Sequence, residues 1–573
     1  MKKNSLGLLL IIVILAAGLR FYKLGSFSPG LYSDEAAYGY NAYSLLTTGK
    51  DEYGTSWPLS LKSFGDYKPP MTAWLTIPSI IAFGLNEFAV RFPSALAGTL
   101  TVVVIYFLAL ELFSAKKDYT LNPRRYTLAL LSALLLAISP WHLHFSRSSM
   151  LVGIEALFLS LGILWFLKAT RNPFYLYVSA ASFVAAIYTY YGSRVTVPLL
   201  VITLAIIFRQ SLKRYRKEVI GSALLSLILL VPLGLAALRD PTTLTGRART
   251  ISIFYDPGIR LQLWQAHTLD GSETPVLISR FFHNKAYFYG REIVRRYLQH
   301  FSYEFLVSSG DPTPPFDIPH MGVIYGSTAI FFVVGLLWIT TRLEKKPHQA
   351  LVAYLAITPI TASLTFITPA ANRSFNLVIP IILLASIGLI QGIKWVNRVK
   401  PISWSTFTIP IIVGLVFFGE FGIYLTHYYR DIPQEIAYKW HYGRRELVKK
   451  ISQIERNYDS IVFSPKEGPA YIWLLFYKQY DSRQYWQEAI IDQTPNELGW
   501  FHIAGFNKYV FLSELDWETI PKKEKTLYVG YETDIPDAWM KEIEGTTLSL
   551  NHVGQVNYPD GQVAFKLVEI KKL

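Results

Sequence analysis

Two carboxylates stand side by side at Asp34-Glu35, a short distance beyond the first long apolar run of the chain. Tyr32, Tyr38, Tyr40 and Tyr43 flank them, and a pair of carboxylates beside the membrane is not needed for anchoring. A carboxylate held at an apolar boundary loses hydration and gains basicity, so the pair has the character of a general base and its support. The same residues also read as a helix start, with Asp34 as N-cap and Glu35 as the first-turn acid. Cations follow in Asp66-Tyr67-Lys68-Pro69-Pro70 and in Arg91-Phe92-Pro93-Ser94. Lys68 and Arg91 suit a phosphate anion, one as a point charge and the other as a fork of donors; snorkelling to lipid headgroups is the alternative. Arg147, Arg194 and Arg373 are further cations at the ends of apolar runs, and Glu155 lies inside one, where an ionisable group must face protein or water. His142 and His144 are two positions apart and diverge on a helix, so no metal site is expected from them. With no Walker loop, dinucleotide glycine motif, HExxH or GxSxG, no cofactor is expected either.

The elements that must carry these groups are set by composition. Of 573 residues, 51% are hydrophobic, 15% aromatic and only 17% charged, and the mean hydropathy is +0.27. Soluble domains carry about 25% charge, so the chain is read as a polytopic membrane protein, and its net charge of +14 is not taken to mean nucleic acid. The absence of cysteine excludes disulfides and thiolate metal sites. Apolar runs near 5–22, 92–113, 126–143, 150–168, 174–191, 195–209, 219–238, 321–341, 349–367, 375–393 and 405–426 give about 11 transmembrane helices. The block 69–85 is short and proline-containing and reads as a helix lying in the interface. With it excluded, Lys2/Lys3, Lys116/Lys117/Arg124/Arg125, Lys168/Arg171, Arg209/Lys213/Arg214/Arg216/Lys217, Arg342/Lys345/Lys346 and Lys394/Arg398/Lys400 all fall on one side. By the positive-inside rule that side is the cytoplasm. The expected protein is multi-pass in a plasma membrane, such as a bacterial inner membrane, with its N-terminus cytoplasmic. Residues 1–426 form the membrane module with external loops 23–91 and 239–320. Residues 427–573 form an external soluble α/β domain: a helical stretch from Glu435 to Asn457, strands at Ser460–Phe463, Lys508–Leu512 and Thr526–Tyr531, and a helix over Gly468 to Gln479.

The order of these pieces resembles the GT-C superfamily of membrane glycosyltransferases, closest to the branch of protein mannosyltransferases and the lipid A aminoarabinose transferase. The resemblance is carried by Asp34-Glu35 after the first span, Lys68-Pro69-Pro70, Arg91-Phe92-Pro93-Ser94, Ser139-Pro140-Trp141-His142 with Arg147, Tyr190 to Pro198, Phe301 to Asp311 and Arg373 to Gly388, over about 1–430. It implies a sugar moved from a polyprenyl phosphate to an acceptor hydroxyl on the outer face, with inversion and without nucleotide. The acceptor would be a protein or a glycolipid, and membrane lipids are the surrounding partner. By the same resemblance Asp34 is the base, Glu35 its support, Lys68 and Arg91 the phosphate ligands, and Arg147 and Arg373 further candidates for that role. Asp66, Glu155 and Tyr38 are expected on the acceptor side or in support. The chain departs from many relatives in having neutral Ser149-Met150-Leu151 after Arg147, a place Glu155 could fill.

A transporter or flippase of lipid-linked sugars is the alternative. It would be expected to show internal pseudo-symmetry and charges near mid-membrane, whereas these charges gather near one face and the long first loop has no counterpart in the second half.

Overall fold

The computed structural model describes residues 3–64, 66–113, 125–271, 273–313, 315–399, 405–464, 469–492, 501–512, 525–535 and 548–572. Of the basic residues used to orient the chain, Lys2, Lys116, Lys117, Arg124 and Lys400 lie outside the described residues, as does Gly468. The chain divides into two compact units, one of residues 1–22, 94–146 and 150–427 and the other of 23–93, 147–149 and 428–573.

The first unit is helical. Among the described residues, six helices are long and apolar enough to cross a bilayer: Asn4–Phe21, Glu87–Leu112, Leu151–Ala169, Arg216–Arg239, Phe375–Val396 and Thr408–Glu435. Arg125–Ile138 and Pro140–Ser146 form a seventh if the pair, bent by 58°, is one span. The remaining apolar runs are helical but short. Tyr175–Thr189, Ser193–Ile207 and Gly326–Thr340 have 15 residues each, about 22 Å at 1.5 Å per residue, and Lys346–Ile357 has 12. The helix Met71–Phe83 in the expected interfacial block has 13 residues, below the roughly 20 that a span needs.

Packing distinguishes the helices. Arg216–Arg239 buries only Leu233, so its apolar surface all round is suited to lipid. Gly326–Thr340 and Val378–Val399 instead pack at backbone contact. A Cβ on Gly335 would lie 1.9 Å from the Leu384 carbonyl oxygen, and one on Gly388 would lie 1.8 Å from that of Phe331. Such small-residue crossings let helices associate by van der Waals packing where no hydrophobic drive exists. Arg20 ends the first helix fully buried, donating to the carbonyls of Ala16, Leu136 and Ala137 and lying 2.7 Å from His142 Nδ1.

The second unit joins the first loop to the tail. In the loop, β1 (Leu61–Ser63) and β2 (Asp66–Lys68) pair antiparallel with Leu61 opposite Lys68. In the tail, β3 (Ser460–Phe463), β4 (Ile490–Ile491), β5 (Ile503–Phe506), β6 (Tyr509–Phe511), β7 (Thr526–Tyr531), β8 (Leu548–Asn557) and β9 (Val563–Lys572) form one sheet in the order β4-β5-β6-β3-β7-β9-β8. Among the described residues the parallel pairs are β3 with β6 and β3 with β7. The helix Arg444–Ile454 buries the stripe Leu447, Val448 and Ile451, an amphipathic pattern at helical period.

The helix Tyr471–Tyr477 is buried from Tyr471 through Phe476 and packs on Ser33–Thr48 from the first loop. Two glycines permit this: a Cβ on Gly39 would meet the Phe476 ring at 2.5 Å, and one on Gly30 would meet the Trp440 carbonyl oxygen at 2.1 Å. Trp473 donates its indole N–H to the Leu31 carbonyl, and Tyr40 its hydroxyl to the Tyr480 carbonyl. Part of the loop's aromatic content therefore serves folding, a use its sequence did not reveal.

Candidate active site

The helix Ser33–Thr48 follows Tyr32 as its N-cap, so Asp34 is the second residue of the helix and does not cap it. That corrects the reading of Asp34 as N-cap. The capping contact comes from Glu35, whose Oε2 accepts from the Tyr32 amide at 3.0 Å. Asp34 thus projects from the first turn, with its side chain 31% exposed. Its Oδ1 lies 3.1 Å from Lys68 Nζ, and its other oxygen accepts from no described residue.

Lys68 is placed by the β1–β2 hairpin, with a side chain only 5% exposed. Its ammonium stands 3.1 Å from Asp34 on one side and 3.1 Å from Asp66 Oδ2 on the other, over the Phe64 ring at 4.1 Å. Asp66 Oδ1 also takes the Tyr67 amide at 2.9 Å. A lysine shared by two carboxylates over an aromatic face is a fixed positive charge, held whether or not an anion is present.

Glu35 and Arg91 form a second, fully buried pair. Arg91 Nε reaches Glu35 Oε1 at 2.9 Å and Nη2 reaches Oε2 at 2.8 Å. The same guanidinium donates to the carbonyls of Leu24 at 3.3 Å and Gly30 at 2.5 Å. Glu35 Oε1 additionally accepts from the Ser149 amide at 2.8 Å. Four of the five guanidinium donors are thereby spent on protein acceptors, which holds Glu35 and the 24–30 turn and leaves one donor for an anion. Arg147 is likewise engaged, donating from Nε to the Tyr428 hydroxyl at 3.0 Å with its guanidinium against the Tyr428 and Tyr429 rings. Tyr38, one helical turn after Asp34, is buried.

A buried acid that the sequence did not single out lies in the same unit. Glu52 accepts from Asn41 Nδ2 at 2.8 Å, Ser63 Oγ at 2.7 Å and the Tyr471 hydroxyl at 2.8 Å. Ser63 closes β1, so this cluster ties the hairpin bearing Lys68 to the helix bearing Asp34. Burial pushes the Glu52 carboxyl up to about 7, against the pull of its three donors. Neighbouring Asp51 is raised to about 6, also chiefly by burial. Tyr471 is 419 residues from Glu52 in the chain, and nothing local in either segment signals the pairing.

Two expected residues belong to the first unit. Glu155 is buried in the helix Leu151–Ala169, and its Oε1 accepts from the Ser193 hydroxyl. Arg373 sits in the turn before the helix Val378–Val399 and directs Nη1 at Thr365 Oγ1 (2.8 Å) and the Ile367 carbonyl (3.2 Å); its Nε and Nη2 donate to no described residue. Its turn is pinned from several sides. Trp141 Nε1 donates to the Ala371 carbonyl at 3.0 Å, and Asp311 Oδ2 accepts from the Ala371 amide at 2.5 Å. His300 Nε2 accepts from the Ala370 amide at 3.3 Å. Burial raises Asp311 to about 6, and Arg373 nearby pulls it the other way; burial lowers His300 to about 4. His142 faces Arg20, and His144 Nε2 lies 3.0 Å from the Pro315 carbonyl, so the two imidazoles serve separate contacts.

Chemically, the second unit offers one half-exposed carboxylate with an open oxygen, beside one immobile ammonium, on a frame of buried ion pairs. That combination accepts a proton and stabilises an anion in adjacent places.

Residues 67–235 match the family model described as dolichyl-phosphate-mannose-protein mannosyltransferase. An uncharacterized protein of Aquifex aeolicus (strain VF5) is 30% identical over 178 residues, 31% of this chain and 32% of that one, so the match spans about a third of the curated relative's length. Among solved structures, ArnT from Cupriavidus metallidurans in the apo state is similar with a TM-score of 0.56 at 15% identity, covering 99% of this chain and 98% of that one. The same protein bound to undecaprenyl phosphate gives 0.56 at 16%, covering 98% of each chain. The oligosaccharyltransferase AglB from Archaeoglobus fulgidus, in complex with an inhibitory peptide and a dolichol-phosphate, gives 0.51 at 12%, covering 83% of this chain and 63% of that one. The family match over residues 67–235 and the fold shared with ArnT and AglB agree with the GT-C resemblance read from the sequence. The fold likeness to ArnT also takes in the tail, which the sequence resemblance over about 1–430 left out.

Proposed function

We propose that the chain is a membrane glycosyltransferase that moves a sugar from a polyprenyl-phosphate donor to an acceptor hydroxyl at the outer face of the membrane. The observation that carries this reading is the Asp34–Lys68 pair, 3.1 Å apart, with one Asp34 oxygen open. In the proposed reaction the acceptor hydroxyl gives its proton to Asp34 while its oxygen bonds to the anomeric carbon. The bond from that carbon to the phosphate oxygen breaks, and its electron pair leaves with the polyprenyl phosphate. One displacement of this kind inverts the anomeric centre. Lys68 stabilises the charge that develops on the phosphate, a role worth roughly 2–4 kcal/mol for a single preorganised donor. Arg147 is proposed as a support that holds the Tyr428 region. Glu35 with Arg91 and Glu52 with Tyr471 are positioning pairs, and Asp66 sets the Lys68 ammonium. No role in the transfer step is proposed for Tyr38 or Glu155 beyond packing and the Ser193 bond.

The membrane arrangement belongs to the same proposal. Eleven helical runs cross the bilayer, the shorter ones at a thinned or tilted boundary, with the N-terminus cytoplasmic and residues 427–573 outside. The family match and the fold shared with a protein solved with undecaprenyl phosphate support the choice of donor class. The test is the purified protein in liposomes with a radiolabelled polyprenyl-phosphate sugar and membrane extract as acceptor. Label passing into acceptor supports the transferase. Intact donor redistributing between leaflets without transfer would make the chain a flippase instead.

A further inference from the structure

The tail carries a cavity that the transfer site does not use. It has a volume of about 490 Å³ and opens at the carboxyl end of β7, within the 300–1,000 Å³ range of small-molecule sites. Ligands of open α/β sheets bind outside the carboxyl ends of parallel strands, and β7 runs parallel to β3.

The lining combines acids, amides and tyrosines. One wall is the β8–β9 turn Tyr558-Pro559-Asp560-Gly561-Gln562. There Tyr558 N donates to the Gln562 carbonyl at 2.7 Å, Gly561 N to the Tyr558 carbonyl at 3.0 Å, and Gln562 N to Asp560 Oδ1 at 2.9 Å. Gly561 supplies the positive φ of 90° that the turn needs. Glu435 and Tyr438, the latter 43% exposed, also line the cavity. Glu532, just past β7, lines it too and stays 3.7 Å from Lys566 Nζ. Ala437 and Ala564 complete the lining with small side chains. Tyr442 stands beside the Tyr558 ring, with centroids 6.3 Å apart.

We infer that this cavity is a saccharide-binding subsite. Tyrosine faces pack against the apolar C–H faces of a pyranose. Carboxylates and amides at the rim accept and donate to vicinal hydroxyls. Among the described residues no Lys or Arg lines the cavity, so a phosphate or an acidic peptide finds no counter-charge there. Three acids and two glutamines around tyrosines leave a neutral or amine-bearing sugar as the fitting class. The subsite stands on the tail alone; that its occupant is the acceptor glycan, held while its terminal hydroxyl is glycosylated, rests on the transferase reading.

The test uses the full chain in lipid nanodiscs, free of sugar-headed detergent, with saturation-transfer NMR on α-mannotriose, chitotriose and spermidine. At least one trisaccharide is expected to receive saturation. Its affinity should fall about fivefold or more when the platforms are removed in the double variant Tyr438→Ala/Tyr558→Ala. The exposed rim variant Asp560→Asn/Glu435→Gln, which leaves the turn's backbone bonds in place, should weaken it as well. Saturation of spermidine alone, of no probe, or of a trisaccharide equally in wild type and the rim variant would each overturn the proposal. Donor turnover measured on the same preparations separates the two readings. A pocket that binds sugar in a protein with no transfer activity leaves the subsite standing and removes the transferase. Transfer by a protein whose pocket binds no sugar does the reverse.

Discussion

Lys68→Met removes the ammonium that Asp34 and Asp66 share while keeping most of the side chain's length and apolar volume. Two costs follow. The Asp66 side chain is 8% exposed, so deleting its cation leaves a nearly buried carboxylate without its ion-pair partner, and breaking such a buried pair costs about 3–5 kcal/mol. Asp34 is 31% exposed, and solvent screening reduces its share to the range of exposed pairs, about 1 kcal/mol or less. The stability loss should therefore be dominated by Asp66, and the double variant Lys68→Met/Asp66→Asn should recover most of it. The catalytic loss should not be recovered. Without a fixed charge beside the departing phosphate, kcat/KM for the donor should fall by roughly 10²–10³, or about 2.7–4 kcal/mol. The double variant, restored in thermal stability, should remain as slow as the single one. Lys68→Arg retains charge but presents a planar fork where a point charge sits between two acids, and should be intermediate. Thermal unfolding in detergent and donor turnover in liposomes give the two readouts. If the double variant regains turnover together with stability, Lys68 is only a structural cation, and the argument for a phosphate site beside Asp34 fails.

Three other outcomes can be checked. Because burial raises Glu52 to about 7 in the folded state, the unfolded chain releases this proton first, and stability should fall as pH rises from about 4.5 to 7. Glu52→Gln should flatten that dependence and leave the chain at least as stable as wild type above pH 7, measured as Tm against pH. Gly30→Ala and Gly39→Ala would force a Cβ into the Trp440 carbonyl and the Phe476 ring, at about 1–3 kcal/mol each. Gly18→Ala, inside the first helix and meeting nothing within 4 Å, should be neutral or stabilising by up to about 1 kcal/mol in the same melts. For the Glu35–Arg91 pair, Glu35→Leu and Arg91→Met should each cost about 3–5 kcal/mol, while the double variant Glu35→Leu/Arg91→Met should cost less than the sum. Additive losses in that cycle would show that the two residues do not act as one unit.

The helical, membrane-crossing character was legible because composition alone decides it: among the described residues six helices, or seven with the bent pair, are long and apolar enough to cross a bilayer, and other apolar runs form shorter helices. What composition does not decide is where helices stop. Tyr190 takes an extended conformation that ends the helix Tyr175–Thr189, and the bend at Ser139-Pro140 divides another run in two. Asp34 and Lys68 were legible as charges in unusual places, and the structure brings them together. Arg91 was legible as a displaced cation but not in its use. Its partner Glu35 is 56 residues away, and charge position alone cannot separate a phosphate ligand from a buried ion pair. Asp34 was misplaced by two positions because Tyr32, not an Asx or hydroxyl residue, takes the N-cap while Glu35 supplies the capping carboxylate. Glu52 with Tyr471, and Gly30 with Trp440, were invisible in sequence because each joins the first loop to a tail more than four hundred residues later.

Asp34→Asn tests the central claim most directly. Asparagine is nearly isosteric, and Asp34 caps no backbone group, so the fold should survive with little change while the open oxygen can no longer take a proton as a carboxylate does. In liposomes with labelled polyprenyl-phosphate sugar, transfer should slow by roughly 10²–10⁴ with donor affinity nearly unchanged, and wild-type product should carry an inverted anomeric centre. Turnover by Asp34→Asn close to wild type, or a product that retains its anomeric configuration, would contradict the account.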